Sequence, residues 1–182
     1  MLINVAIIIT TILITIIANS FFEWFVHGKL MHGKFSINFL HKLSTKYFYN
    51  LHQTQHHAMY PPRSYKNSQH GDNVNLPWWA AIITVSIMAI PGFLISYFTN
   101  YWSIVWVYVT TSTCYFLAYN YVHSCYHIPK DRWLKKTRFY KFMNRYHEIH
   151  HARIKTQREL INICVLCPIA DFVMRTSINP SS

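Results

Sequence analysis

Charge is scarce in this chain, and acidic charge is scarcest. Only 13% of the 182 residues are charged, with six Asp and Glu against 17 Lys and Arg; a typical soluble domain carries about twice that charged share. Residues 77–122 hold no charged side chain, and residues 2–26 hold one, Glu23. A transporter would place ionisable groups inside such spans, so this pattern argues against transport. Glycine is rare too, four in all, and forms no nucleotide-binding loop. The four cysteines, Cys114, Cys125, Cys164 and Cys167, have no spacing that reads as a disulfide framework. Cys164 and Cys167 form a C-x-x-C in an apolar run without a second pair, which reads as small buried side chains. No internal repeat or low-complexity tract is present.

What is there is apolar: 52% of the residues are hydrophobic. Residues 2–26, 77–98 and 102–122 are each long enough to cross a bilayer, which takes roughly 20 residues. The first run lacks a basic lead and a small-residue cleavage site, so it reads as a span and not as a cleaved signal. Pro91 and Gly92 predict a kink in the second run. Thr99, Asn100 and Tyr101 predict a tight turn before the third. Trp78, Trp79, Tyr97, Tyr101, Trp102 and Trp106 sit near span ends, as interfacial aromatic residues do. Pro61 and Pro62 break the polar stretch 28–76, and Pro180, Ser181 and Ser182 end the chain in a short tail. All 17 basic residues fall in 28–76 or 128–182. Three spans put both regions on one side, and the positive-inside rule makes that side cytoplasmic, with the N-terminus outside. The +11 net charge is accounted for in this way, without nucleic acid as a partner. The expected fold is therefore all-α: one integral-membrane domain over residues 1–182, about three transmembrane helices with a cytoplasmic helical cap.

Histidine is the residue that chemistry would use. Ten of the twelve histidines fall into four groups: His27 and His32; His52, His56 and His57; His123 and His127; His147, His150 and His151. Residues three and four apart share a helix face, so the last triplet can reach one small volume. The gap from His27 to His32 is different. Five residues rotate about 140° on a regular helix, so both rings need a break or unwinding, for which Gly28 and Gly33 leave room. His41 and His70 lie outside the pattern and read as solvated.

A lone histidine is usually a surface or core residue. Four charge-free groups at membrane-interface depth point to metal, because imidazole is a favoured donor for iron, zinc, copper and nickel. Ten ligands exceed one ion and give two ions about five each, with open positions. A closed zinc site would use four ligands, usually with Cys. Zinc-pair hydrolysis would normally bring bridging carboxylates, and these groups contain only Glu148. Iron fits dioxygen activation better. Glu23, one turn before His27, and Asp171, in the last apolar segment, are the expected orienters of the rings.

These residues resemble the fatty acid hydroxylase and sterol desaturase superfamily of membrane di-iron oxygenases. The resemblance covers residues 20–176. It rests on Glu23, Trp24, Phe25, Val26 and His27 through His32, on His52–His57, on Tyr121, Val122 and His123 through His127, on His147–His151, and on the run Asn162, Pro168, Asp171 to Thr176. It implies cytoplasmic helices capping transmembrane ones. It implies ten histidines holding two irons, which zinc can replace on purification, with dioxygen as co-substrate. The activity it implies is hydroxylation of a lipid C–H bond, or desaturation at the same site, with electrons from a separate donor protein. The wide gap between His32 and His52 is more like the fatty-acid and sterol branch than the carotenoid hydroxylases. Three residues separate His52 from His56 where the family usually has two, and three spans stand where four are usual. The reading from another class is a non-catalytic membrane metal-binding protein.

Overall fold

The computed structural model describes residues 2–32, 44–60, 76–128, 133–157 and 160–179. The expectations placed on Gly33, His41, Pro61, Pro62, His70 and the tail from Pro180 lie outside these residues. Among the described residues every regular element is helical. Helix α1 is Leu2–Trp24, α2 is Trp78–Thr99, α3 is Ser103–His127, α4 is Arg138–Gln157 and α5 is the short Ile169–Val173. There are also two π-helical segments, Phe25–Met31 running straight on from α1, and Ser44–His56 closed by one α-turn, His57–Met59, and a 3-10 turn, Leu134–Lys136, before α4.

The membrane character shows as an inverted pattern. On α1 the polar residues Thr11, Thr15, Asn19, Ser20 and Glu23 are buried, while Val5, Ile9, Leu13 and Ile17 face outward. Thr11, Thr15, Asn19 and Glu23 repeat every four residues and so form one face. On α2 the exposed side chains include Ile82, Ile83, Ile87, Ile90, Phe93 and Leu94. Such a surface is stable in hydrocarbon and not in water. Two helices, Val5–Met31 and Trp78–Thr99, are long and apolar enough to span. Helix α3 matches them in length but is less apolar, because it packs against both and buries Tyr108, Ser112, Tyr115, Phe116 and Tyr119 there.

The α2–α3 hairpin follows from local chemistry. Asn100 takes the left-handed conformation (φ 60°) that ends α2, a position asparagine tolerates better than most residues. The buried Ser96 hydroxyl accepts from the Val105 amide at 3.0 Å, satisfying one of the orphan donors at the start of α3. Pro91 sits inside α2, which continues through it as one helix. Its neighbour Gly92 packs so closely that a Cβ there would stand 2.7 Å from Tyr108 Cγ.

Below the spans, Thr137 caps α4 by accepting from the Tyr140 amide at 3.1 Å. Tyr140 in turn donates to Cys125 O (2.7 Å), tying α4 to the end of α3. Tyr119, Val122, Tyr126, Met143, Tyr146 and Val165 form the core between α3, α4 and the last segment. That last segment is pinned to α1: Ser20 donates to Cys167 O (2.6 Å) and accepts from Ala170 N (3.1 Å), and Trp24 Nε1 donates to Thr176 Oγ1 (3.0 Å).

Candidate metal centre

The π winding solves the five-residue problem. In a π-helix the backbone bond runs from i to i+5, so residues five apart sit one turn apart on the same side. His27 and His32 accordingly stack with centroids 5.2 Å apart, and His52 and His57 meet at 4.9 Å. The expected distortion is there, as a widened helix instead of a break.

All ten grouped histidines come together. Two sets of four have ring nitrogens within 4.8 Å of one another: His27, His32, His52 and His150, then His56, His127, His147 and His151. The triplets therefore split. His150 goes to the first set while His147 and His151 go to the second, and His52 parts from His56 in the same way. His57 and His123 belong to neither set of four. The His57 ring lies 4.1 Å from His151 and 4.8 Å from His32, between the sets. His123 lies 4.8 Å from His147 and 4.9 Å from His56, beside the second.

The hydrogen-bond count tests whether a cation fits. His150 Nδ1–H donates to Ile161 O (2.9 Å), and His32 Nδ1–H donates to Gln53 Oε1 (2.7 Å). A neutral imidazole carries one proton, so both Nε2 atoms then present lone pairs. Those two lone pairs face each other at 3.2 Å. In the second set, His147 Nε2 is 3.1 Å from His123 Nε2 and 3.2 Å from both His127 Nε2 and His151 Nε2. One nitrogen with a single proton or a single lone pair cannot bond three others. A metal–imidazole distance of about 2.0–2.1 Å puts tetrahedral ligands roughly 3.3 Å apart, which is the spacing found. His56 and His57 have both ring nitrogens buried without a hydrogen bond, and His27 and His123 have Nδ1 so. Such orphans are costly unless something else satisfies them.

Burial keeps the rings neutral and metal-competent. Desolvation first, and neighbouring imidazoles second, hold His52, His56, His57, His147 and His151 well below the usual histidine range. Burial lowers His150 to about 4, opposed by its bond to Ile161 O and by the Asp171 charge.

Glu23 and Asp171 are buried close by, yet among the described contacts neither hydrogen-bonds an imidazole. Glu23 accepts from Tyr115 OH (2.6 Å) and from the amides of Val165 and Leu166. Asp171 accepts from Ile163 N (3.0 Å), Cys164 N (2.7 Å) and Thr176 Oγ1 (2.5 Å). Both clamp the segment whose Ile161 carbonyl aims His150. Glu148 points away, paired with Arg145 at 3.1 Å on the exposed side of α4. The direct partners that sequence reasoning missed are Gln53, Ile161 O and Tyr60 O, the last accepting from His151 Nδ1–H at 3.0 Å. Gln53 stands next to His52, a signal that was available. A backbone carbonyl leaves no such trace.

A cleft opens beside His27 between α1, α2 and α3. Phe22, Val26, Met31, Leu76 and Phe116 give it apolar walls, and Asn19, Glu23, Thr84, Tyr115 and Tyr119 also line it. The nest of imidazoles thus meets an apolar space that lies between these helices. The family model described as fatty acid hydroxylase matches residues 12–176, nearly the whole chain. Neither a curated protein nor a solved structure matches it.

Proposed function

Because the chain belongs to the fatty acid hydroxylase family, we propose that it is an integral-membrane di-iron oxygenase that hydroxylates a C–H bond of a bilayer lipid. Dioxygen and electrons from a separate donor protein are its co-reactants. The observation that carries this reading is the joining of two four-imidazole sets to an apolar cleft at His27. Family membership alone makes it an oxidoreductase acting on lipid. The imidazole sets are compatible with iron, and the lack of carboxylates in them weighs against a zinc-pair hydrolase.

In this reading His27, His32, His52 and His150 hold one iron and His56, His127, His147 and His151 the other, with His57 and His123 completing the ten ligands. Bound iron supplies the activation of dioxygen. The chain's own part is positioning and dryness. Ile161 O, Tyr60 O and Gln53 fix the rings with Nδ1 protonated, so that Nε2 is the ligand atom. Glu23 and Asp171 act one step further out, by holding the segment 163–166 in place. Phe22, Val26 and Met31 bring a lipid chain alongside His27 and keep water away. The whole chain works as one domain with three spans, α3 being the third, the N-terminus outside and the histidines on the cytoplasmic side.

The test is comparison of total lipids from cells making this chain with cells making His150→Ala. A product one oxygen heavier, lost in the variant, is the expected result. A product two hydrogens lighter would move the reading to desaturation at the same site. Protein that takes up no iron when iron is supplied, and yields no oxidised lipid, would overturn it in favour of a non-catalytic metal-binding protein or an inactive relative.

A further inference from the structure

The cleft is not purely a hydrocarbon slot. Asn19 lines it and is 3% exposed. Its Nδ2 group donates to Thr15 O (2.8 Å) and to Ser112 Oγ (3.0 Å). Thr15 O can only accept, so the amide orientation is fixed and both amide hydrogens are used. That leaves Asn19 Oδ1. It accepts no hydrogen bond among the described residues, and it is not one of the sealed buried atoms, so it opens onto the cleft. Thr84, from α2, lines the same cleft and its hydroxyl likewise has no partner among the described residues. Buried acceptors are rarely left so in a span, where the cost of an unmade bond is highest.

We propose that this cleft selects a lipid bearing a hydroxyl on its chain, with Asn19 Oδ1 accepting from that hydroxyl and Thr84 beside it. The inference rests on the oxygenase reading for its meaning as substrate choice. Asn19 precedes His27 by eight residues, about 12 Å along a helix, so the recognised hydroxyl lies roughly that far from the carbon attacked. A plain chain would leave the acceptor unpaired. The structure thereby discriminates by penalising the wrong lipid as much as by rewarding the right one.

The experiment uses the purified full chain in lipid nanodiscs with an equimolar mixture of a saturated long-chain fatty acid and the same acid carrying one mid-chain hydroxyl. Retained lipid is measured by mass spectrometry. The unmodified chain should retain the hydroxylated acid about 3- to 10-fold over the plain one, the range expected for one net hydrogen bond. Asn19→Leu should erase the preference and Thr84→Val should reduce it. Because Asn19→Leu also breaks the contact to Ser112, Thr84→Val, which keeps the side-chain shape, is the variant that decides if the first fails to fold. Equal retention by the unmodified chain overturns the proposal, and so does a preference that survives both substitutions. The same preparations, loaded with iron and supplied with dioxygen and a chemical reductant in place of the donor protein, are assayed for lipid oxidation with His150→Ala as the blank. Preference without oxidation would retire the oxygenase reading and keep the selectivity, while oxidation without preference would do the reverse.

Discussion

At the scale of the residue, the histidines and their helpers make different predictions. Gln53 holds His32 through one bond of 2.7 Å, so Gln53→Ala should lower metal affinity about 10-fold or more, read by competition with a chelator. Glu148→Ala should leave affinity unchanged, since among the described residues that carboxylate pairs with Arg145 and half-exposed pairs contribute little. Gly92→Ala forces a Cβ to 2.7–2.9 Å from Tyr108 and should cost about 1–3 kcal/mol, seen as a lower Tm in detergent. Gly28→Ala meets Ile163 at 3.4 Å and should be milder. The convergence of the grouped histidines was legible because charge-free imidazoles clustered in this way have few other uses. The orienting carbonyls of Ile161 and Tyr60 were not, since a backbone atom is common to every residue type. The roles of Glu23 and Asp171 were half legible. Burial next to the cluster follows from their place in apolar sequence, whereas the amides of 163–166 that they hold depend on how the last segment folds back onto α1.

At the scale of the element, the π segments decide the geometry. α-helical spacing predicts that His27 and His32 diverge, and the pair stacks because Phe25–Met31 is wound wider. Deleting Leu30, which shortens the gap to four, should let this stretch relax to an ordinary α-helix. The two rings would stay on one side, but everything after them would rotate. The expected outcome is loss of about half the bound metal, with helix content retained, measured by elemental analysis and circular dichroism. Retention of full metal would mean that the winding is incidental. Sequence reading located the three long helices well, and their ends less well. The first runs past residue 26 into the π turn, and the third reaches His127. Both extensions carry histidines of the four groups, so the boundary shifts are where side-chain packing overrode the simple apolar count.

At the scale of the whole molecule, burial of neutral imidazoles ties stability to acidity. His150 titrates near 4 when folded and near 6.5 when unfolded, so between those values the unfolded chain binds more protons. Stability is therefore complete above about pH 6.5 and is lost as pH falls toward 4, by about 3 kcal/mol for this one ring. The other depressed rings act in the same direction. Metal-free protein should show a Tm that drops steeply below pH 6.5, and metal should broaden its range by competing with protons. Inverted burial, with polar α1 residues inside and isoleucines outside, was legible from the chain's low charge. The sharing of helices between the two sets was not, because it depends on three-dimensional register. That sharing has an arithmetic consequence. His150 and His151 are adjacent on one helix yet serve different sets, as do His52 and His56. Filling either set therefore orders the same two helices that the other needs, so the second ion should bind to a frame already paid for. Uptake should follow a steep, sigmoidal isotherm in which singly loaded molecules are rare, and a sample given one equivalent of metal should contain mostly empty and doubly filled chains.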